Sequence, residues 1–128
     1  MNPRILIVED EPVIASSLQA YLEDEGMEVR WRASAEQALG LIQGVGCAFD
    51  VCIMDVRLPG LDGSNAIREL HQLCPHLNFI IQTGNSDYRI SEDLRMLGIG
   101  ERQLFRKPLL DMQPLATMVQ ALAQRSGT

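Results

Sequence analysis

The chain has 128 residues, a hydrophobic fraction of 46 % and a formal net charge of −6. That length suits one domain with a core of useful size, and a mean hydropathy near zero reads as globular. No apolar run approaches the roughly 18–20 residues of a membrane span. No basic stripe offers itself to nucleic acid or anionic lipid, and the opening MNPRILIVED lacks the layout of a secretory signal.

RILIV (4–8) predicts a first strand, and residues 12–25 then place Ile14, Leu18, Tyr21 and Leu22 on one helical face. Pro12 suits the first turn of that helix and Gly26 its end. EVRWRA (28–33) alternates on one side, as a strand near a sheet edge does. Ala35, Ala38, Leu39 and Ile42 set a second helix over 35–43. Residues 49–54 form an apolar strand buried on both faces, and the charged Asp55 follows it. Pro59 and Gly60 read as turn residues, with Asp62 as N-cap of a helix over 63–73.

NFIIQT (78–83) is the fourth strand. A helix over 87–97 turns Ile90, Leu94 and Leu97 inward and Arg89, Glu92, Asp93 and Arg95 outward. QLFRK (103–107) is the fifth strand, and a last helix over 111–125 carries Leu115, Met118, Val119 and Leu122 at helical spacing. Five strands each followed by a helix imply a doubly wound α/β domain with a five-stranded parallel sheet. The domain is expected to fill 1–125, leaving 126–128 as a tail or the start of a linker. Cys47, Cys52 and Cys74 are odd in number and lack metal-like spacing. They read as core or filler residues in a reduced, cytoplasmic compartment. His71 and His76 read as surface residues.

In such a sheet, ligands bind at the carboxyl ends of the strands. Strand 1 ends in Glu9-Asp10, strand 3 in Asp55, strand 4 in Thr83 and strand 5 in Lys107. A charged group at the end of a buried strand costs desolvation energy unless something pairs with it. Crowded carboxylates call for a counter-charge, and oxygen ligands suit a hard cation such as Mg²⁺. Asp10 and Asp55 would bind it directly, with Glu9 acting through water. Lys107 is the single lysine beside ten arginines, and a compact point charge suits a small anion where the wide guanidinium fork does not. With Thr83 it would face a tetrahedral anion, making a site for phosphoryl transfer onto an aspartate.

ILIVEDEP, CIMDVRLPGLDG, IIQTG and FRKPL, in this order at successive strand ends, together resemble the receiver domain of two-component response regulators, over nearly the whole chain. The resemblance implies the flavodoxin-like fold with strand order 2-1-3-4-5, and Asp55 as phosphoacceptor. It gives Glu9 and Asp10 as the acidic pair holding Mg²⁺ and the Arg57 carbonyl as a further ligand. It makes Thr83 the switch hydroxyl, Lys107 the phosphate-contacting lysine, and the Lys107–Pro108 bond cis. Arg57, Gly84 and Asn85 would tune the phosphoryl lifetime or the switch. Two features depart from the family's pattern and bear on the readout. Leu104 stands where an aromatic residue is frequent, and the segment from Thr83 to Lys107 runs about two residues longer, with the extra length assigned to 97–103.

Without the matching strand ends, Glu9-Asp10-Glu11 would be a solvated loop at a helix start; Glu11 keeps that role. A haloacid-dehalogenase-type phosphatase wants an acid where Arg57 stands. A nucleotide- or flavin-binding domain wants a phosphate loop where VEDEP is acidic. The remaining alternative is a receiver-like interaction module that is never phosphorylated, whose mark would be loss of a site residue. The reading is therefore a domain that takes a phosphoryl group on Asp55 from a histidine kinase or phosphotransfer protein. It would catalyse its own phosphorylation and dephosphorylation, without turning over an external substrate. It would signal through the 87–125 face to an output domain or downstream protein, without binding nucleic acid or membrane.

Overall fold

The computed structural model describes residues 2–57 and 63–126. Strands β1 (Arg4–Val8), β2 (Glu28–Arg32), β3 (Val51–Asp55), β4 (Asn78–Thr83) and β5 (Leu104–Arg106) form one sheet. Their order is β2-β1-β3-β4-β5, and every pairing is parallel. Helices α1 (Pro12–Asp24), α2 (Ala35–Val45), α3 (Gly63–Leu73), α4 (Glu92–Met96) and α5 (Gln113–Ser126) follow the strands in turn. This is the doubly wound parallel sheet that the strand–helix alternation predicts, in the flavodoxin-like strand order that the family resemblance implies.

Period-two alternation divides the core into two layers. Leu6, Val8, Cys52, Met54, Phe79 and Ile81 pack with α2, α3 and α4. Ile5, Ile7, Val51, Ile53 and Ile80 pack with α1 and α5. Every residue of β3 is buried, because strands lie on both sides of it and helices cover both faces. Each such aliphatic side chain contributes roughly 1.5–3 kcal/mol of burial energy. The edge strand β2 is only partly covered, as its mixed sequence suggests. No helix among the described residues is long and apolar enough to cross a membrane.

Three elements differ from expectation in ways that bear on the site. The third strand begins at Val51 rather than 49 and takes in Asp55, so the carboxylate belongs to the strand itself. Strand β5 is three residues long. Gln103 instead closes a 3-10 turn (Glu101–Gln103), and its buried amide donates to the Phe79 carbonyl at 2.8 Å while accepting from the Gly100 N–H at 3.0 Å. Its side chain thus occupies a backbone acceptor on β4 where β5 has not yet begun.

The third difference is the fourth helix, which starts at Glu92 after the N-cap Ser91 rather than at 87. Asn85 accounts for this: its side-chain oxygen accepts from the Asp87 N–H at 3.0 Å, and its carbonyl accepts from the Tyr88 N–H at 3.2 Å. A local side chain thereby offers the backbone an alternative to helix. Ile90 and Leu94 are nevertheless buried, as their spacing demands.

The cysteine reading requires correction. Cys47 and Cys74 form a disulfide across a sequence separation of 27; only Cys52 is free, and it is buried. Parallel βα units bring the carboxyl ends of α2 and α3 to the same end of the sheet, and each of these cysteines lies just beyond one of those helices. Spacing along the chain carries no sign of that convergence. The turn and cap expected at Pro59, Gly60 and Asp62 lie outside the described residues.

Helix α3 begins hard against the end of β3. A Cβ on Gly63 would sit 2.5 Å from the Val56 Cα and 2.6 Å from the Asp55 carbonyl oxygen. Both are backbone atoms that cannot step aside. Gly63→Ala, though favourable for helix propensity, is expected to lower stability by about 1–3 kcal/mol; urea denaturation checks this.

Candidate functional site

Glu9 leaves β1 with its backbone fixed on both sides. Its N–H donates to the Arg32 carbonyl at 3.1 Å, and its carbonyl accepts from the Trp31 indole at 2.7 Å. The side chain is 1 % exposed. Oε2 accepts from the Glu11 N–H at 3.2 Å, and Oε1 lies 2.6 Å from Lys107 Nζ. That last contact is a close charge pair without hydrogen-bond alignment, so Oε1 is a buried oxygen with no aligned donor among the described residues.

Asp55, at the end of β3, holds its carboxylate between two donors. Oδ1 accepts from the Arg57 N–H at 2.9 Å and Oδ2 from Lys107 Nζ at 3.0 Å. Lys107 follows β5, its N–H donating to the Thr83 carbonyl at 2.7 Å, and its peptide bond to Pro108 is cis. Asp10 is exposed. Carboxylate oxygens of Glu9, Asp10 and Asp55 lie within 4.8 Å of one another. Three acids therefore face one ammonium. Burial, reinforced by the nearby Asp55 charge, pushes the Glu9 carboxyl up to about 7 against the opposing pull of Lys107 and the Glu11 N–H. Burial works against the Lys107 charge, yet its contacts with Glu9 and Asp55 raise its pKa overall.

The donor set is all oxygen, carries excess negative charge and includes a buried oxygen without an aligned partner. It fits a hard divalent cation. The structure thus brings the adjacent pair Glu9 and Asp10 together with Asp55 and Lys107, which are far from it in sequence. Thr83 shares the rim but not this cluster: it is fully buried, and its hydroxyl accepts from the Asn85 N–H at 3.0 Å. Arg57 touches Asp55 through its amide while its side chain is exposed. Gly84 and Asn85 are exposed. Leu104 packs toward the α2–α4 layer and Phe105 toward α1 and α5, as strand alternation requires.

Two contributors have no role in the sequence reading. Trp31 fixes the Glu9 backbone from the neighbouring strand, and its position on an amphipathic edge strand gave no hint of it. Arg106 donates to the carbonyls of Asn85 at 2.8 Å and Tyr88 at 3.1 Å, tying the loop after β4 to β5. An arginine at a strand end reads as an ordinary outward charge.

Residues 5–120 match the model of the response regulator receiver domain family. The chain belongs to this family. It is 35 % identical over 125 residues to the uncharacterized transcriptional regulatory protein YbdJ of Bacillus subtilis, covering 98 % of this chain and 53 % of that protein. It is 41 % identical over 90 residues to the transcriptional regulatory protein AruR of Pseudomonas aeruginosa, covering 68 % and 36 %. The receiver domain thus spans about half or less of these two relatives. A receiver domain protein from Clostridium thermocellum superposes with a TM-score of 0.81 at 29 % identity, covering 98 % of this chain and 97 % of that one. The response regulator TrrA of Thermotoga maritima, solved in complex with Mg²⁺-BeF, gives a TM-score of 0.76 at 28 % identity, with 94 % and 98 % covered.

The metal-free domain should carry a pH signature of Glu9. The folded state holds this proton above its ordinary pKa of 4.5. Glu9 therefore contributes stability that is complete below about 4.5 and is lost as pH rises through about 7. In chelator, Glu9→Gln is expected to flatten the fall in melting temperature across this window; melts at a series of pH values read it.

Proposed function

We propose that this receiver domain accepts a phosphoryl group on Asp55 from a phosphohistidine donor, a histidine kinase or histidine phosphotransfer protein. The observation that carries the reading is the Asp55 carboxylate held 3.0 Å from the lone lysine, beside two further acids at one strand-end rim. In the step proposed, an Asp55 oxygen forms the new bond to phosphorus as the donor's N–P bond breaks and its imidazole leaves. The Arg57 N–H and Lys107 hold the carboxylate in place, and the Lys107 ammonium offsets charge on the arriving group. Glu9, Asp10 and Asp55 would hold Mg²⁺, with the Arg57 carbonyl as a further ligand. When bound, that cation supplies the positive charge which three acids and a phosphoryl group lack between them.

The same reading makes the domain its own catalyst in gaining and losing the group, without turnover of an external substrate, and places it in the cytoplasm. Receiver domains of two-component systems interact with histidine kinases, and the relatives above are named as transcriptional regulators. For this chain a docking partner would meet the rim cleft of about 450 Å³ lined by Ile14, Leu18, Pro108, Leu109 and Met112. An output domain or downstream protein would meet the 87–125 face, where Met96 is 81 % exposed.

With acetyl phosphate and Mg²⁺, intact mass should rise by one phosphoryl group, and Asp55→Asn should abolish the gain. Full modification of that variant overturns the assignment. Lys107→Arg should keep the fold and the Mg²⁺-dependent thermal shift but lose phosphorylation-dependent change, because the wider fork does not fit. With a beryllofluoride mimic, hydrogen exchange should change in 83–88 and 98–103 while Leu104 stays quiet; the reverse pattern refutes this.

A further inference from the structure

We propose that Cys47 and Cys74 form a reversible redox site at the end of the sheet opposite the acid cluster, exchanging with a low-molecular-weight disulfide and clamping or releasing the carboxyl end of α3. Nothing in the receiver function requires this pair. In the oxidised state the two sulfurs are bonded. In that bridged state Cys47 Sγ lies 3.1 Å from the Leu73 carbonyl, an acceptor that a thiol released at the same place would meet.

The backbone around each cysteine is secured without the bridge. The Gly46 N–H donates to the Ile42 carbonyl at 2.7 Å and the Ala48 N–H to the Gly46 carbonyl at 2.9 Å. The Cys74 N–H donates to the Leu70 carbonyl at 2.8 Å, and the Cys74 carbonyl accepts from the Leu77 N–H at 3.0 Å. Opening the bridge therefore leaves the fold standing. The two sulfurs also differ in access: Cys47 is exposed whereas Cys74 is 2 % exposed. Access decides which sulfur meets an exchange partner. Cys52 takes no part, because it is completely buried and burial pushes its thiol far up.

The exchange balances as follows. The Cys47 thiolate attacks one sulfur of oxidised glutathione, breaking that S–S bond and releasing one glutathione thiolate. The Cys74 thiolate then attacks Cys47 Sγ, forming the internal bridge and releasing the second. Two thiols lose two protons and two electrons in all, and one glutathione disulfide becomes two glutathiones. The element that is clamped is the helix whose first residue, Gly63, lies against the backbone of Asp55. In a reducing compartment, disulfides that do form tend to be transient and redox-sensing rather than structural.

The test uses the full 128-residue chain in glutathione buffers of graded ratio, trapped with N-ethylmaleimide under denaturing conditions and weighed. The proposal expects a single two-electron transition, complete in both directions, between one label (Cys52) and three. Reduction should lower the melting temperature by on the order of 10 °C, as opening a loop of this length implies. It should also speed hydrogen exchange in 70–77 while leaving β1 unchanged. Cys47→Ser should show two labels at every ratio and no redox-dependent melting. A pair that stays bridged in excess reduced glutathione, never bridges in excess oxidised glutathione, or stops at a glutathione adduct on Cys47 overturns the proposal. The titration reads sulfur alone, so its failure is distinct from a failure of phosphoryl transfer to Asp55.

Discussion

Everything at the rim follows from an imbalance of charge: Glu9, Asp10 and Asp55 against Lys107. A parallel sheet sends the carboxyl ends of β1, β3 and β5 to one edge, so acids that are distant in sequence meet where neither can retreat into water. Asp55 and Glu9 are 4 % and 1 % exposed, and the single ammonium lies within 3.0 Å of both. Desolvating such charges can cost more than their pairing returns, and burial raises the Glu9 pKa in keeping with that cost. The surrounding structure exists to hold the arrangement regardless. Trp31 and Arg32 fix the Glu9 backbone, the Arg57 and Glu11 amides fix the two carboxylates, and the Thr83 carbonyl fixes the backbone of Lys107. A cluster that is costly to fold and held at so many points is accounted for by chemistry rather than by stability.

That cluster was readable from the sequence because it depends on strand ends, and strand ends are marked by where long apolar runs stop. VCIM into Asp55 and ILIV into Glu9 are such stops, and the βα alternation dictates that they share a rim. What could not be read depends on contacts between segments remote in sequence or on a side chain competing with the backbone. The shortened α4 belongs to the second kind, since helical spacing of Ile90, Leu94 and Leu97 persists although Asn85 diverts the chain into a turn before it. Gln103 belongs to the first: its value lies in a carbonyl of β4 that β5 leaves unpaired. The Cys47–Cys74 bridge is also of the first kind, being a product of the sheet order rather than of any spacing.

The two ends of the sheet are consequently different sorts of site. At the carboxyl ends of the strands, charge is concentrated and the backbone is locked. At the amino ends, the helices α2 and α3 finish in loops that combine local hydrogen bonds with ties to the sheet, Asp50 to Arg4 among them, with a covalent bridge added between them. Helix α3, about 16 Å long at 1.5 Å per residue, connects the two, and Gly63 is its point of contact with the charged end.

The loop after β4 is where the charged end meets the rest of the domain. The Thr83 hydroxyl holds the Asn85 N–H, while Arg106 on β5 holds the Asn85 and Tyr88 carbonyls. Across the loop the Tyr88 hydroxyl lies 3.4 Å from Ser64 Oγ in the first turn of α3. Leu104 has no polar group to join this set and stays in the apolar layer. A conformational equilibrium shifts only through contacts that differ between its states. Leu104 offers packing that either position could satisfy, whereas the Arg106 bonds are directional and charge-assisted, worth on the order of 1 kcal/mol each at an exposed position. Were Thr83 to turn away from Asn85, the loop would have to carry the guanidinium with it or break those two bonds; the directional contacts at this end of the sheet thus lie in the β4–α4 loop and not at the side chain of residue 104.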